Sequence, residues 1–250
     1  MNDYLMFQLY GPLQSWGEIA VGQVRQSADH PGRSAVAGLL AACLGLDRDD
    51  LRCLTLAGAL RLAVRVDRPG LPLIDYHTAQ CPDRKAKRRF FTRKDELGGL
   101  LAAGERPNTV LSDRSYRQDA CCTACIWLRG ESPFGLEELN AALLRPRFAP
   151  YLGRKSCPPG LPFAPALGSF ATPEEALASY PVSAQVLGGL QREPQPEAPL
   201  YRDEDGDAGQ GQAFTRRDVP VSRKGQFRFH NRRELALETA AATAREDRCS

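Results

Sequence analysis

Three stretches of this 250-residue chain set cations and hydroxyls at spacings suited to phosphate. The first is Y-L-G-R-K-S-C at 151–157, where Gly153 precedes Arg154, Lys155 and Ser156 and two prolines follow. A Walker A loop needs G-x-x-x-x-G-K-[ST] opening a helix, so that successive backbone N–H groups wrap the phosphates. No glycine stands five residues before Gly153, and Pro158-Pro159 forbids a helix soon after, so an NTPase loop is disfavoured. A cationic glycine turn remains, facing either nucleic acid or solvent. The second stretch sets Arg25, His30, Arg33 and Ser34 ahead of an apolar run. A serine-capped helix N-terminus beside an arginine seats phosphate; the same residues also describe a plain capped helix with a surface arginine. The third, R-K-A-K-R-R-F-F-T-R-K at 84–94, holds Arg84, Lys85, Lys87, Arg88, Arg89, Arg93 and Lys94, with Phe90 and Phe91 among them and no acid. Such a run is a solvated arm unless its rings find a partner. Cations interleaved with aromatics suit single-stranded nucleic acid, the rings stacking on or wedging between bases; a protein neighbour would serve the phenylalanines too.

Catalysis has weaker support. Metal-free RNA cleavage needs a general base and acid near a 2′-hydroxyl. His30, His77 and His230, with Tyr76 and Tyr116, are the candidates, and none has a partner at telling spacing. A lone histidine is more often structural. C-C-T-A-C at 121–125 contains a C-x-x-C, but no second Cys/His pair follows at zinc-site spacing. It also sits in a strand-like run, where residues three apart point to opposite faces. No metal site and no cofactor is expected.

The elements that must position these groups follow from pattern. Y-L-M-F-Q-L-Y-G reads as a first strand ending at Gly11-Pro12. S-A-V-A-G-L-L-A-A-C-L-G reads as a helix with Ser34 as N-cap and Gly45 as its stop, apolar all round and therefore buried all round. Residues 59–67 alternate, with Leu60, Leu62, Val64 and Val66 on one face and Arg61 and Arg65 on the other. A-C-C-T-A-C-I-W-L is a further strand, L-E-E-L-N-A-A-L-L a helix stopped by Arg145-Pro146, and T-P-E-E-A-L-A-S-Y a helix capped by Thr172 with Pro173 in its first turn. V-S-A-Q-V-L-G-G and V-P-V-S-R-K-G-Q-F-R-F-H look like late strands. The order fits an α+β chain, a βαββαβ ferredoxin-like core with extensions. Residues 193–207, acidic and proline-rich, read as an exposed loop. The 19 prolines and 22 glycines argue against a long-helix bundle, and the net charge of +3 is mild. The N-terminus has no signal-like apolar run, so a soluble, cytoplasmic protein with no membrane partner is expected; its eight cysteines then read as buried thiols.

Taken together, L-M-F-Q-L-Y-G-P-L-Q-S-W-G, H-P-G-R-S-A-V-A-G-L-L-A-A-C-L-G-L-D-R-D-D, D-Y-H-T-A-Q and L-L-R-P-R-F-A-P-Y-L-G-R-K-S-C-P-P-G resemble, in order and spacing, the Cas-five family of type I CRISPR systems, most closely its subtype I-E members. The resemblance implies a ferredoxin-like (RRM-like, RAMP) RNA-binding core at 1–75 and 116–180. It implies a long β-hairpin thumb at 76–115 bearing the basic run, an irregular β-containing extension at 181–234, and a helical or disordered tail at 235–250. The implied function is a non-catalytic subunit of a Cascade surveillance complex. It would hold the 5′ handle of the crRNA, cap the backbone filament, touch the backbone subunit CasC and the large subunit CasA, and reach target DNA only through the complex. Arg25, Arg33, Ser34, Arg154, Lys155 and Ser156 would hold RNA. Subtype I-C members process repeat RNA themselves, so the alternative is a metal-free endoribonuclease using His30, Tyr76 or His77. Gly32 departs from the threonine of the family's P-T-R-S motif and loses one hydroxyl.

Overall fold

A computed structural model describes residues 1–20, 22–82, 90–104, 106–182, 198–204, 211–222 and 228–237. The chain opens with β1 (Asn2–Tyr10), followed by the short strands β2 (Leu13–Gln14), β3 (Trp16–Gly17), β4 (Val24–Arg25) and β5 (Ser27–Ala28). Helices α1 (Arg33–Leu44) and α2 (Arg52–Ala59) lead into β6 (Leu60–Arg68). The insertion comprises β7 (Leu71–Cys81), α3 (Arg93–Ala102) and β8 (Asn108–Gln118). Then come β9 (Cys121–Leu128), α4 (Leu136–Leu144), β10 (Ala166–Phe170), α5 (Pro173–Ser179), β11 (Leu200–Asp203), β12 (Gln212–Ser222) and β13 (Arg228–Leu237).

Among the described residues, one antiparallel sheet runs in the order β10-β1-β9-β6-β11-β13-β12. One of its faces is the main core. Leu5, Phe7 and Leu9 of β1, the even positions of β6, and Cys122, Ala124 and Ile126 of β9 pack under α1 and α4. The other face also closes: Tyr4, Met6, Ala63, Cys125 and Trp127 bury Ala176 and Leu177 of α5. Arg65 projects onto this face and donates to the carbonyls of Leu177 and Tyr180 at the end of α5, and to Asp67 at 2.5 Å. A guanidinium with its donors matched to helix-end carbonyls and a carboxylate tolerates burial. β6 is therefore covered on both sides, although its alternation shows only one apolar face. Cys122 and Cys125 fall on opposite sides of β9, as a three-residue spacing in a strand requires. Burial pushes the Cys121 thiol up to about 12 and Cys122 and Cys125 further, so these are inert core thiols.

The structure differs from the sequence reading at several points. α1 ends at Gly45 as expected, with φ 74° and its N–H on the Ala42 carbonyl at 3.0 Å. Its N-cap, however, is Gly32 rather than Ser34, and Asp218 Oδ2 of β12 accepts the Arg33 N–H at 2.8 Å. The cap thus comes from a strand 185 residues away along the chain. A Cβ at Gly32 would run into Asp218 Oδ2, so a larger residue there must displace that carboxylate. α1 is also not covered on every side: Ser34, Gly38 and Ala42 are only half-buried. The acidic stretch at 193–207 is not simply a loop, since its described part holds β11, inserted between β6 and β13. The insertion carries a helix the basic run conceals: Thr92 caps α3 by accepting the Asp95 N–H at 3.1 Å. Arg84, Lys85, Lys87, Arg88 and Arg89, most of the expected strand at 182–189 and the tail beyond 237 lie outside the described residues.

Candidate nucleic-acid interface

The two glycine-bearing motifs interlock. In G-P-L-Q-S-W-G, Gln14 is fully buried and donates to the carbonyls of Leu9 and Ala120 at 2.9 and 2.8 Å, while Trp16 Nε1 donates to its Oε1 at 3.0 Å. The motif therefore ties the end of β1 to the start of β9. Against it lies the 151–157 turn, where the Ser15 N–H donates to the Leu152 carbonyl at 3.1 Å. Leu152 and Cys157 close the turn, the Leu152 N–H reaching the Cys157 carbonyl at 2.7 Å. Gly153 has φ 87°, and a Cβ on it would strike the Ser15 carbonyl, so only glycine fits.

This closure fixes what each cation can do. The Arg154 guanidinium lies 4.8 Å from the Tyr116 ring centroid and donates from Nη2 to the Arg25 carbonyl at 2.9 Å. The turn is thereby pinned to β4 and β8, and Arg25 is brought to the Arg154 side chain across 129 residues. Lys155 and Ser156 stay exposed, as does Arg25, whose Nη1 donates to the Gly22 carbonyl at 2.7 Å. Burial pushes the Tyr116 phenol up, but hydrogen bonds from Ser156 and Arg154 outweigh it and hold it below the usual tyrosine value. Tyr116 is 7% exposed, so it serves as the platform under Arg154 rather than as an open acid–base group.

Arg33 lies elsewhere. At 7% exposure its Nη2 donates to Asp203 at 2.6 Å, inside a network of three carboxylates and three arginines. Arg232 donates to Asp218 Oδ1 at 2.6 Å, to Glu234 Oε1 at 2.6 Å and to Asp203. Arg216 reaches Glu234 and donates to the His30 carbonyl at 3.0 Å. His30 stacks on Tyr201 with centroids 3.8 Å apart. His30 Nε2 lies 2.6 Å from Arg216 Nη1, which can only donate, and 3.0 Å from Glu234 Oε2, which accepts, while Nδ1 has no hydrogen-bond partner. Burial, aided by the Arg216 and Arg232 charges, lowers the His30 pKa. Burial alone would raise Glu234, yet its bond to His30 and the neighbouring guanidiniums hold it down at about 2. Ser34 lies beside this network, one residue into α1. The phosphate expected at Arg33 therefore meets a side chain already neutralised by a buried carboxylate. Asp203, Asp218 and Glu234 were invisible as its partners because they lie 170 or more residues downstream.

The nuclease candidates do not converge. His30 is enclosed by the network, while Tyr76 and His77 are neighbours on β7 and so face opposite sides of it. Among the described residues no group of His, Cys, Asp and Glu could hold a metal ion, and no helix is long and apolar enough to cross a membrane. Of the basic run, Arg93 pairs with Glu96 at 2.6 Å and Lys94 is exposed, both in the first turn of α3; Phe91 is 86% exposed.

A sheet covered by α1 and α4 on one face and α5 on the other, with a glycine-pinned cationic turn at the end of its first strand, matches a known protein class over nearly its full length. The family model described as CRISPR-associated protein (Cas_Cas5) covers residues 4–233, and the chain belongs to that family. It is 34% identical to the CRISPR system Cascade subunit CasD of Escherichia coli (strain K12) over 230 residues, 88% of this chain and 90% of that one. A chain in a solved CRISPR RNA-guided surveillance complex superposes with TM-score 0.65 at 27% identity, covering 94% of this chain and 90% of the other. A second structure, a Cas protein, gives TM-score 0.55 at 30% identity and covers 94% and 95%.

Proposed function

We propose that this chain is a crRNA-binding subunit of a type I-E Cascade surveillance complex, holding the 5′ handle of the guide without cutting it. The reading rests on similarity to CasD and to the surveillance-complex chain, and on one observation: the turn carrying Arg154 and Lys155, which only glycine can make, is tied through Arg154 to the backbone carbonyl of Arg25, 129 residues upstream. Lys155, Arg25 and Ser156 are the phosphate-facing set, and Arg154 positions them. The strand order β10-β1-β9-β6, with α1 and α4 on one face, is read as a ferredoxin-like core formed by 1–75 and 116–180. The β7–β8 pair is read as the thumb at 76–115, with residues 181–234 as the β extension. CasC, CasA and the handle RNA are the partners, and the cytoplasm the compartment. RNA sequencing after pull-down of the tagged chain from its host tests this. Short RNAs sharing one 5′ end are expected; no RNA, or RNA with scattered ends, overturns the reading. Repeat-hairpin RNA incubated with the purified chain and EDTA should stay intact.

A further inference from the structure

The β7–β8 pair is held to the body by very little burial. β7 contributes no fully buried residue, and β8 contributes one, Tyr116. Tyr116 joins the main core, and Leu73, its partner across the pair, packs against that core. Further out, Ile74 and Tyr76 are 70% and 64% exposed. The residue that anchors the pair is also the seat of the 151–157 turn. The Arg154 guanidinium lies over its ring, and Ser156 and Arg154 hydrogen-bond to its phenol. The backbone makes the same connection twice more. Fully buried Ser15 donates from Oγ to the Ser115 carbonyl at 2.8 Å and from its N–H to the Leu152 carbonyl, so one residue touches both the strand and the turn. β4, whose Arg25 carbonyl accepts from Arg154, pairs in parallel with β8 at Asp113 and Arg114.

We propose that Tyr116 is a positioning residue that makes the placement of the Lys155-bearing turn depend on the tilt of the β7–β8 pair, an assignment that rests on the RNA-binding reading above. A ring packed into a core cannot shift without carrying its neighbours. Arg154 is held at two points, the Tyr116 ring face and the Arg25 carbonyl, and its planar fork transmits a displacement of either. A movement of the exposed outer part of the pair therefore reaches Lys155 and Ser156 through Tyr116. The dependence runs both ways: RNA held at the turn steadies β8, and whatever steadies the outer part of the pair tightens RNA binding by the same factor. The side chain itself separates this role from simple anchoring. A leucine would fill the core position, but only an aromatic ring offers a guanidinium a face to rest on.

The test titrates the full chain with an adenine-rich single-stranded RNA at several salt concentrations and follows amide hydrogen exchange of β8 in the free chain. Tyr116→Leu should lose about tenfold in affinity and lower the slope of log K against log salt by about 0.7, one phosphate contact. In that background Lys155→Ala should lower the slope no further. Tyr116→Phe keeps the ring face and should retain the wild-type slope. A Tyr116 that only anchored the fold would change the folded fraction and leave the slope of the folded molecules alone. A wild-type slope in Tyr116→Leu, or a full Lys155→Ala effect in that background, overturns the positioning role and spares the RNA reading. The second arm needs no RNA: Arg154→Met, which removes the fork from the ring, should speed exchange at 113–116 by about tenfold. Unchanged exchange there overturns the coupling of turn and strand whether or not RNA binds. No RNA affinity in wild type, with exchange accelerated in Arg154→Met, overturns the RNA reading and leaves the coupling standing.

Discussion

The two arginine-rich regions beside this sheet begin from similar motifs and end in opposite states. At the 151–157 turn, Arg154 donates to a backbone carbonyl and lies over a ring face, with no carboxylate paired to it among the described residues, while Lys155 and Arg25 stay exposed. At the head of α1, Arg33, Arg216 and Arg232 meet Asp203, Asp218 and Glu234 and are neutralised inside. The difference is the counter-ion rather than the cation. A buried guanidinium needs matched carboxylates, and once matched it has nothing left for phosphate. One region leaves Lys155 and Arg25 exposed, and the other holds the C-terminal strands against the core.

Breaking the buried region should produce the largest effects. Arg232→Ala leaves three carboxylates buried without their shared partner, and should cost about 3–5 kcal/mol in urea unfolding. The salt slope of RNA binding by the molecules that remain folded should not change. A drop in slope equal to that of Lys155→Ala would erase the distinction between the regions.

Acid should act on the same region. The folded His30 pKa lies below its ordinary 6.5, so the unfolded chain takes up a proton first and stability falls as pH drops below about 6.5. Glu234 is held at about 2 against an ordinary 4.5. Its contribution is therefore complete above about 4.5 and lost between there and about 2, an effect on the order of 3 kcal/mol. Thermal unfolding followed from pH 7 to pH 3 should show both phases, with Glu234→Gln removing the lower one and His30→Gln the upper. A flat profile in wild type would contradict the network.

Next in size is Gly32→Thr, which restores the family's threonine and drives a side chain into Asp218. Overpacking of this kind costs about 1–3 kcal/mol. Asp218→Ser in the same chain should recover part of the loss, and a double-mutant cycle with no coupling would separate the two residues. This pair marks the limit of what could be read from the linear chain. The core strands, α1, α4, α5 and the Gly45 stop follow from alternation, periodicity and caps, all local signals. The Gly153 turn was legible because its residues are adjacent. Arg33 was misplaced because its fate depends on Asp203, hidden in a stretch whose acidity and prolines suggest a loop, and on Asp218, amid cations. Arg65 was half-legible: alternation puts it opposite the core, but only α5 folding over that face buries it. Tyr116 carried no spacing signal, since its partners Arg154 and Ser156 lie some 40 residues downstream.

The smallest effect on folding should come where the effect on binding is sharpest. Lys155 is exposed and its loss creates neither a cavity nor an unpaired buried charge, so Lys155→Ala should shift stability by no more than about 0.5 kcal/mol. If it neutralises one phosphate of a single strand, the slope of log K against log salt should fall in magnitude by about 0.7. Arg33→Ala is the paired control. It leaves Asp203 without one of its two guanidiniums and should destabilise the fold, with no effect on the slope. Lys155→Arg keeps the charge and adds a fork, so the slope should be retained. The ordering Lys155 for slope and Arg33 for stability is the claim; the reverse ordering would place the phosphate at the head of α1 and return the turn to solvent.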